Sequence, residues 1–214
     1  MQFRARLLEW SHIEKWCETL RKKIIDSYEP DFIIGLSRGG LAPARILSDT
    51  LLVKDLYSLK TEHWGMTANV DGKAKLKNSE TLDVKGRKVL VVDDITDTGE
   101  SMELAKNHVE TMGPEDLKTA TMLHITRSKH VPSFYAEEVS ESQWTWFIFP
   151  WNVTEDLNNL IRKIGSEVMT SEEIISGLKR EFDLHVKAEI LEFTLKRLQD
   201  LKRIRKDGSN WKLN

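Results

Sequence analysis

Apolar residues recur at steps of three and four from Trp10 through Ile13, Cys17 and Leu20 to Ile24, which predicts a helix over Trp10–Ile25. The run DFIIGL (31–36) has no such period. It is short, unbroken and closed by a glycine-rich turn, as expected of a strand buried on both faces. A helix is predicted over 41–50, with Pro43 tolerated in its first turn. DLYSLKT (55–61) alternates like a strand, and KVLVVDD (88–94) is a second buried run. SMELAKNHVETMG (101–113) reads as a helix stopped by Gly113-Pro114, with LKTATMLHI (117–125) and TWFIF (145–149) as further strands. Strand and helix alternate, so the expected fold class is α/β, a central parallel sheet flanked by helices.

Two segments leave that rhythm. Residues 62–86 are polar and aperiodic, and so long a connection between sheet strands has the character of a lid or a disordered loop. From about Gly165 the chain offers two helical patterns, Ser171–Phe182 and Ala188–Leu201, then RIRKDGSNWKL, two short strands around Asp207-Gly208. Helix, helix and hairpin is the layout of a winged helix. The expected organisation is a first domain over 1–164 and a small winged-helix-like domain over 165–214.

Composition narrows the class. The 32 basic residues nearly balance the 34 acidic ones, so no global field points to nucleic acid or to an anionic membrane. A single cysteine, Cys17, excludes an internal disulfide framework and suits a reducing compartment. Apolar stretches fall far short of the ~20 residues that span a bilayer. MQFRARLLEW lacks the apolar core of a secretory signal. A soluble, cytoplasmic protein without a membrane partner is expected. Its six histidines (His12, His63, His108, His124, His130, His185) show no metal-ligand spacing.

The chemistry concentrates in VLVVDDITDTGES (89–101). In an open α/β sheet, ligands bind at the carboxyl ends of the strands, where Asp93 and Asp94 fall. The loop Ile95–Ser101 leads into a helix N-terminus, whose N–H groups and dipole favour a phosphate. Thr96, Thr98 and Ser101 add hydroxyls. Two adjacent carboxylates are poor company for that phosphate unless they face donors, and a ribose diol supplies two. The stretch suits a ribose 5-phosphate. A plain strand with an Asx-capped turn would account for Asp97 and Gly99, but not for the buried run that ends in paired acids.

These residues resemble the phosphoribosyl-pyrophosphate (PRPP) signature of type I phosphoribosyltransferases: apolar strand, acidic pair, two-residue spacer, Asp-Thr-Gly and a terminal Ser or Thr. GLSRGGLAP (35–43) is similar to the same family's pyrophosphate loop, especially in its 6-oxopurine branch, and precedes the first motif in the family's order. The resemblance implies a type I phosphoribosyltransferase fold with a hood at about 62–86. It also implies displacement of pyrophosphate from C1 of PRPP by a purine nitrogen, with Mg²⁺ as cofactor and a nucleoside monophosphate as product. Ser37, Arg38, Gly39 and Gly40 would cradle the pyrophosphate, with the Ser37–Arg38 peptide cis. Asp93 and Asp94 would hold the ribose and its metal, and Ile95, Thr96, Asp97, Thr98, Gly99, Glu100 and Ser101 the 5-phosphate. Asp97 falls at the family's proton acceptor near N7 of the base. Lys73, Lys75 and Lys77 of the hood are further candidates for the anionic substrate. Such enzymes usually form homodimers.

For the base, QWTWFIFPWN (143–152) resembles the 6-oxopurine branch, with Trp146 as stacking platform, the Phe147 backbone at the base edge and Trp151 structural. Members of that branch carry a lysine after the LHITRSKH strand to donate to the purine O6. Here Thr126 and Arg127 compete for its place. Thr126 there would suit the adenine amine, and Arg127 a hypoxanthine, guanine or xanthine carbonyl. The expectation leans to adenine, because lysine to arginine is not a conservative exchange at a single-oxygen contact.

The tail from Gly165 carries ten basic and nine acidic residues, and only its last stretch, KRIRKDGSNWK, is basic. Nucleic acid is therefore not an expected partner. A PRPP-sensing regulator that binds DNA through the winged helix is the remaining alternative to an enzyme, as is a phosphate-binding α/β module without catalysis.

Overall fold

The computed structural model describes residues 3–63, 74–77 and 82–214. Its elements in chain order are β1 (Ala5–Leu7), α1 (Trp10–Ile25), β2 (Phe32–Ser37), α2 (Leu41–Thr50), β3 (Asp55–His63), β4 (Ala74–Lys77), β5 (Lys88–Thr96) and α3 (Glu100–Glu110). There follow β6 (Asp116–Ile125), β7 (Phe134–Val139), β8 (Trp146–Ile148), α4 (Val153–Lys163), β9 (Val168–Thr170), α5 (Ser171–Phe182), α6 (Ala188–Asp200), β10 (Ile204–Asp207) and β11 (Asn210–Leu213). They form two compact units, Ser11–Gln143 and the paired chain ends Met1–Trp10 with Trp144–Asn214.

In the Ser11–Gln143 unit a six-stranded sheet runs β4-β3-β2-β5-β6-β7, parallel except for the β3–β4 pair. Val89–Val92 are buried without interruption, the pattern of a strand covered on both faces. Phe32, Ile34, Leu36, Val89 and Val91 share a core with Met102, Ala105 and Val109 of α3. α1 buries Ile13, Trp16, Cys17, Leu20 and Ile24. The Trp16 indole donates to Glu137 Oε2 of β7 at 2.8 Å.

The strand order places the site. From β2 the chain crosses through α2 to β3 on one side; from β5 it crosses through α3 to β6 on the other. Neighbouring strands whose connections diverge leave a crevice beyond their carboxyl ends. Both motifs read from the sequence end on these two strands.

The second unit joins the chain ends. β1 pairs in parallel with β8, Ala5 opposite Trp146 and Leu7 opposite Ile148. TWFIF therefore does not extend the large sheet as expected. Its edge is β7, whose FYAEEV sequence carries the charge that suits an edge strand. Ile148, Leu157, Leu160 and Ile161 share one core with Phe182, Leu191, Leu195 and Trp211. The expected boundary at 165 thus falls inside this unit, because α4 packs in the same core as α5 and α6. β9, β10 and β11 form an antiparallel sheet in the order β10-β11-β9. Thr170 and Glu173 close a capping box at the start of α5.

Of the expected hood, β3 and β4 pair antiparallel from Lys60 opposite Lys77 to His63 opposite Ala74. Lys73 and the rest of 64–73, with 78–81, lie outside the described residues. No described helix is long and apolar enough to cross a membrane.

Candidate active site

The crevice walls are a glycine turn and an acidic strand end in direct contact. After β2 the Ser37–Arg38 peptide is cis, as the resemblance implies, and Gly40 N–H donates to Leu36 O at 2.8 Å to close the turn. A Cβ at Gly39 would overlap the Asp94 carboxylate, and one at Gly40 would stand 2.8 Å from Leu36 N and 2.9 Å from Asp93 Cα. Only glycine lets this turn lie so close to the end of β5.

Asp94 N–H donates to Asp93 Oδ1 at 2.9 Å. Desolvation first, then the adjacent Asp94 charge, pushes the Asp93 carboxyl well above the usual range, against the pull of the Asp94 and Gly40 backbone. The pair is a local concentration of acceptors, suited to hydroxyl donors or a cation. Among the described residues, no group of three or more His, Cys, Asp or Glu side chains is placed to hold a metal ion.

The loop from Ile95 to Ser101 departs in part from expectation. Thr96 is buried and its hydroxyl is joined to His124 Nδ1 at 3.1 Å, so it points into the sheet rather than toward a phosphate. The Thr98 hydroxyl accepts the Glu100 N–H at 3.4 Å. Gly99, at φ 83°, caps α3, and the first-turn N–H groups behind it lack intrahelical partners. These N–H groups and the Thr98 and Ser101 hydroxyls are the polar groups gathered at the start of α3.

The turn after β6 braces this loop. Lys129 N–H donates to Thr98 O at 3.0 Å, and a Cβ on Gly99 would meet Ser128 Oγ at 2.5 Å and His130 N at 2.7 Å. Arg127 clamps Asp97 with two hydrogen bonds, Nε to Oδ1 and Nη2 to Oδ2, both 2.7 Å. Thr126 is held elsewhere: its N–H donates to Val139 O and its hydroxyl accepts the Glu141 N–H, both at 3.0 Å. Ser128, His130 and His124 carry no local sequence signal of a place beside this loop. Their roles depend on pairings across about thirty residues, which no local motif announces.

Ser37, Arg38, Gly39, Asp93, Asp94, Ile95, Thr96, Asp97, Thr98, Gly99, Glu100, Ser101, Thr126 and Arg127 thus lie at the carboxyl ends of β2, β5 and β6 and in the segments that follow them. Trp146 and Phe147 lie in the other unit, on β8. Trp146 is half-buried against that unit's core, its ring 6.3 Å from Phe3, and Phe147 turns to the opposite face of the strand. Trp151 stacks on Phe149 at 5.0 Å, as expected of a structural residue.

A parallel sheet with a glycine turn and a paired-acid strand end at its switch point defines a type I phosphoribosyltransferase fold. Residues 4–157 match the phosphoribosyl transferase domain, and the chain belongs to that family. It is 29% identical over 153 residues to a xanthine-guanine phosphoribosyltransferase of Cereibacter sphaeroides, covering 68% of this chain and 86% of that protein. A hypoxanthine-guanine phosphoribosyltransferase of Aquifex aeolicus is 29% identical over 124 residues, 55% of this chain and 68% of its own. Among solved structures, a purine phosphoribosyltransferase from Pyrococcus horikoshii Ot3 superimposes with a TM-score of 0.60 at 28% identity, over 71% of this chain and 94% of its own.

Proposed function

We propose that this phosphoribosyltransferase transfers the 5-phosphoribosyl group of PRPP to a 6-oxopurine (hypoxanthine, guanine or xanthine), releasing pyrophosphate and the nucleoside monophosphate in the cytoplasm. The observation that carries the choice of base is the Arg127 guanidinium fixed on Asp97. A cationic donor suits a purine carbonyl and opposes the adenine amine. Thr126, the residue on which the adenine expectation rested, is bound to Val139 and Glu141 instead. The names of the relatives point the same way.

In this reading the turn Ser37–Gly40 takes the pyrophosphate and Asp93 with Asp94 the ribose hydroxyls. The cradle from Asp97 to Ser101 takes the 5-phosphate. A divalent ion such as Mg²⁺, carried by the substrate, fits the two crowded carboxylates and would neutralise charge on the leaving group. Arg127 exchanges Asp97 for the purine O6, and the released carboxylate accepts the proton of the attacking base. Nitrogen bonds to C1 as the C1–oxygen bond to pyrophosphate breaks, and positioning carries most of the catalysis. The assignment of Trp146 and Phe147 to the base rests on the resemblance.

The test is a product assay with PRPP, Mg²⁺ and each of adenine, hypoxanthine, guanine and xanthine. Inosine, guanosine or xanthosine monophosphate is expected. AMP as the sole product would overturn the choice of base, and no nucleotide from any base would overturn the enzyme.

A further inference from the structure

We infer that the C-terminal hairpin, β10 with β11, binds the phosphate backbone of double-stranded DNA. The family match ends at residue 157, before this segment begins. Averaged over the tail, charge gives no reason to expect nucleic acid. Resolved along the chain, it is segregated. From Lys196 to Lys212 there are seven basic and two acidic residues, against three basic and seven acidic from 165 to 195.

The strand register sorts these cations by face. Ile204 lies opposite Leu213, Arg205 opposite Lys212 and Lys206 opposite Trp211. Ile204 and Trp211 are buried in the unit's core, so alternation turns Arg205 and Lys212 to the outer face. Lys206 stays on the core side, its Nζ 5.0 Å from the centre of the Trp211 ring. Exposed Arg203 stands two residues before Arg205. Its carbonyl accepts the Asn214 N–H and Arg162 Nη2, both at 3.1 Å, which fixes the base of the hairpin. Like charges directly opposite each other destabilise a strand pair. Among the described residues neither Arg205 nor Lys212 forms an ion pair, so an external anion would relieve their repulsion.

The shape selects among polyanions. The hairpin is part of the three-stranded sheet β10-β11-β9, with β9 paired along β11. That broad face cannot enter the deep, narrow major groove of A-form RNA, but it can lie against the exposed phosphates that line the wider groove of B-form DNA. Asn210, Thr170 and Asp207 share the outer face with Arg205 and Lys212. Val168 is its one large exposed apolar residue, far less than a membrane-surface element presents.

The experiment is fluorescence anisotropy of the full chain with a labelled duplex DNA between about 50 and 200 mM salt. Three phosphate contacts, from Arg203, Arg205 and Lys212, predict a log–log salt slope near −2.7, roughly a 40-fold loss of affinity across that range. The double variant Arg205→Glu/Lys212→Glu should bind at least about tenfold more weakly at low salt, with phosphoribosyl transfer and melting temperature unchanged. If that variant melts early, Arg205→Gln/Lys212→Gln should still flatten the slope by about 1.8. The inference is overturned by absence of binding at the lower salt, or by binding that the folded variants leave intact. Equal or tighter binding to duplex RNA or to phosphatidylserine vesicles overturns it as well, in favour of that partner.

Discussion

Arg127 closes a two-point ion pair on Asp97, joining the turn after β6 to the loop after β5. In the proposed reading the same pair joins the proton acceptor to the cation that meets the base. Asp97→Asn should lower kcat about 10²- to 10⁴-fold, the range of a lost proton acceptor, while PRPP affinity by calorimetry stays near wild type. Equal losses in both would assign Asp97 to binding.

Removal of the partner tests the choice of base. A hydrogen bond to a charged group contributes about 1.5–3 kcal/mol, so Arg127→Ala should cut kcat/KM for guanine about 10- to 100-fold. Arg127→Lys keeps the charge but loses the fork and should fall between. A variant that lost nothing with guanine would remove Arg127 from base recognition.

Asp93→Asn separates stability from function. Asp93 binds its proton more tightly folded than unfolded, so stability falls as pH rises from the ordinary carboxyl value through its raised one. The neutral amide removes that loss. At neutral pH the ligand-free variant should melt higher, by about 2–4 °C for each kcal/mol relieved, while PRPP binds more weakly. A lower melting temperature would show that the pair is not repulsive in the folded protein.

Gly99 serves two ends, and a comparison with Gly86 divides them. Both have positive φ, 83° and 69°, but only at Gly99 would a Cβ strike other atoms, those of Ser128 and His130. Gly86→Ala should cost about 1–2 kcal/mol for the left-handed backbone alone. Gly99→Ala should cost more and also raise the KM for PRPP, as read from urea melts and initial rates. Equal costs would mean that the turn after β6 yields freely.

Burial holds the His124 imidazole below its ordinary value, and His130 likewise, with Lys106 adding to the effect there. Below about 6.5 the unfolded chain takes up these protons before the folded one, so stability is lost as pH falls through that window. His124→Asn should melt lower than wild type at about pH 7.5 and lose less on acidification to about pH 5.5. A parallel pH dependence would clear His124 of the effect.

Most of the large sheet was legible because its strands are unbroken apolar runs and its helices keep a clean period. The glycine turn and the paired acids were legible because their chemistry is local in sequence. β1 and β9, at three residues each, are too short for a period to show. β7 hides because two glutamates interrupt its alternation. α4 carries a readable signal, Glu155 and Asp156 in its first turn ahead of Leu157, Leu160 and Ile161. Thr96 misleads in a different way. Its loop is polar, yet strand β5 runs on far enough to turn this hydroxyl inward to His124.

The pairing of β1 with β8 has a consequence for synthesis. Residues 5–7 emerge from the ribosome ahead of the large sheet, but their strand partner at 146–148 appears only after the whole of that sheet has been made. The Ser11–Gln143 unit can complete itself on the nascent chain, while the leading segment waits for the trailing one. The unit that pairs β1 with β8 thus cannot complete until both of its segments have been made, although β1 precedes the large sheet in synthesis.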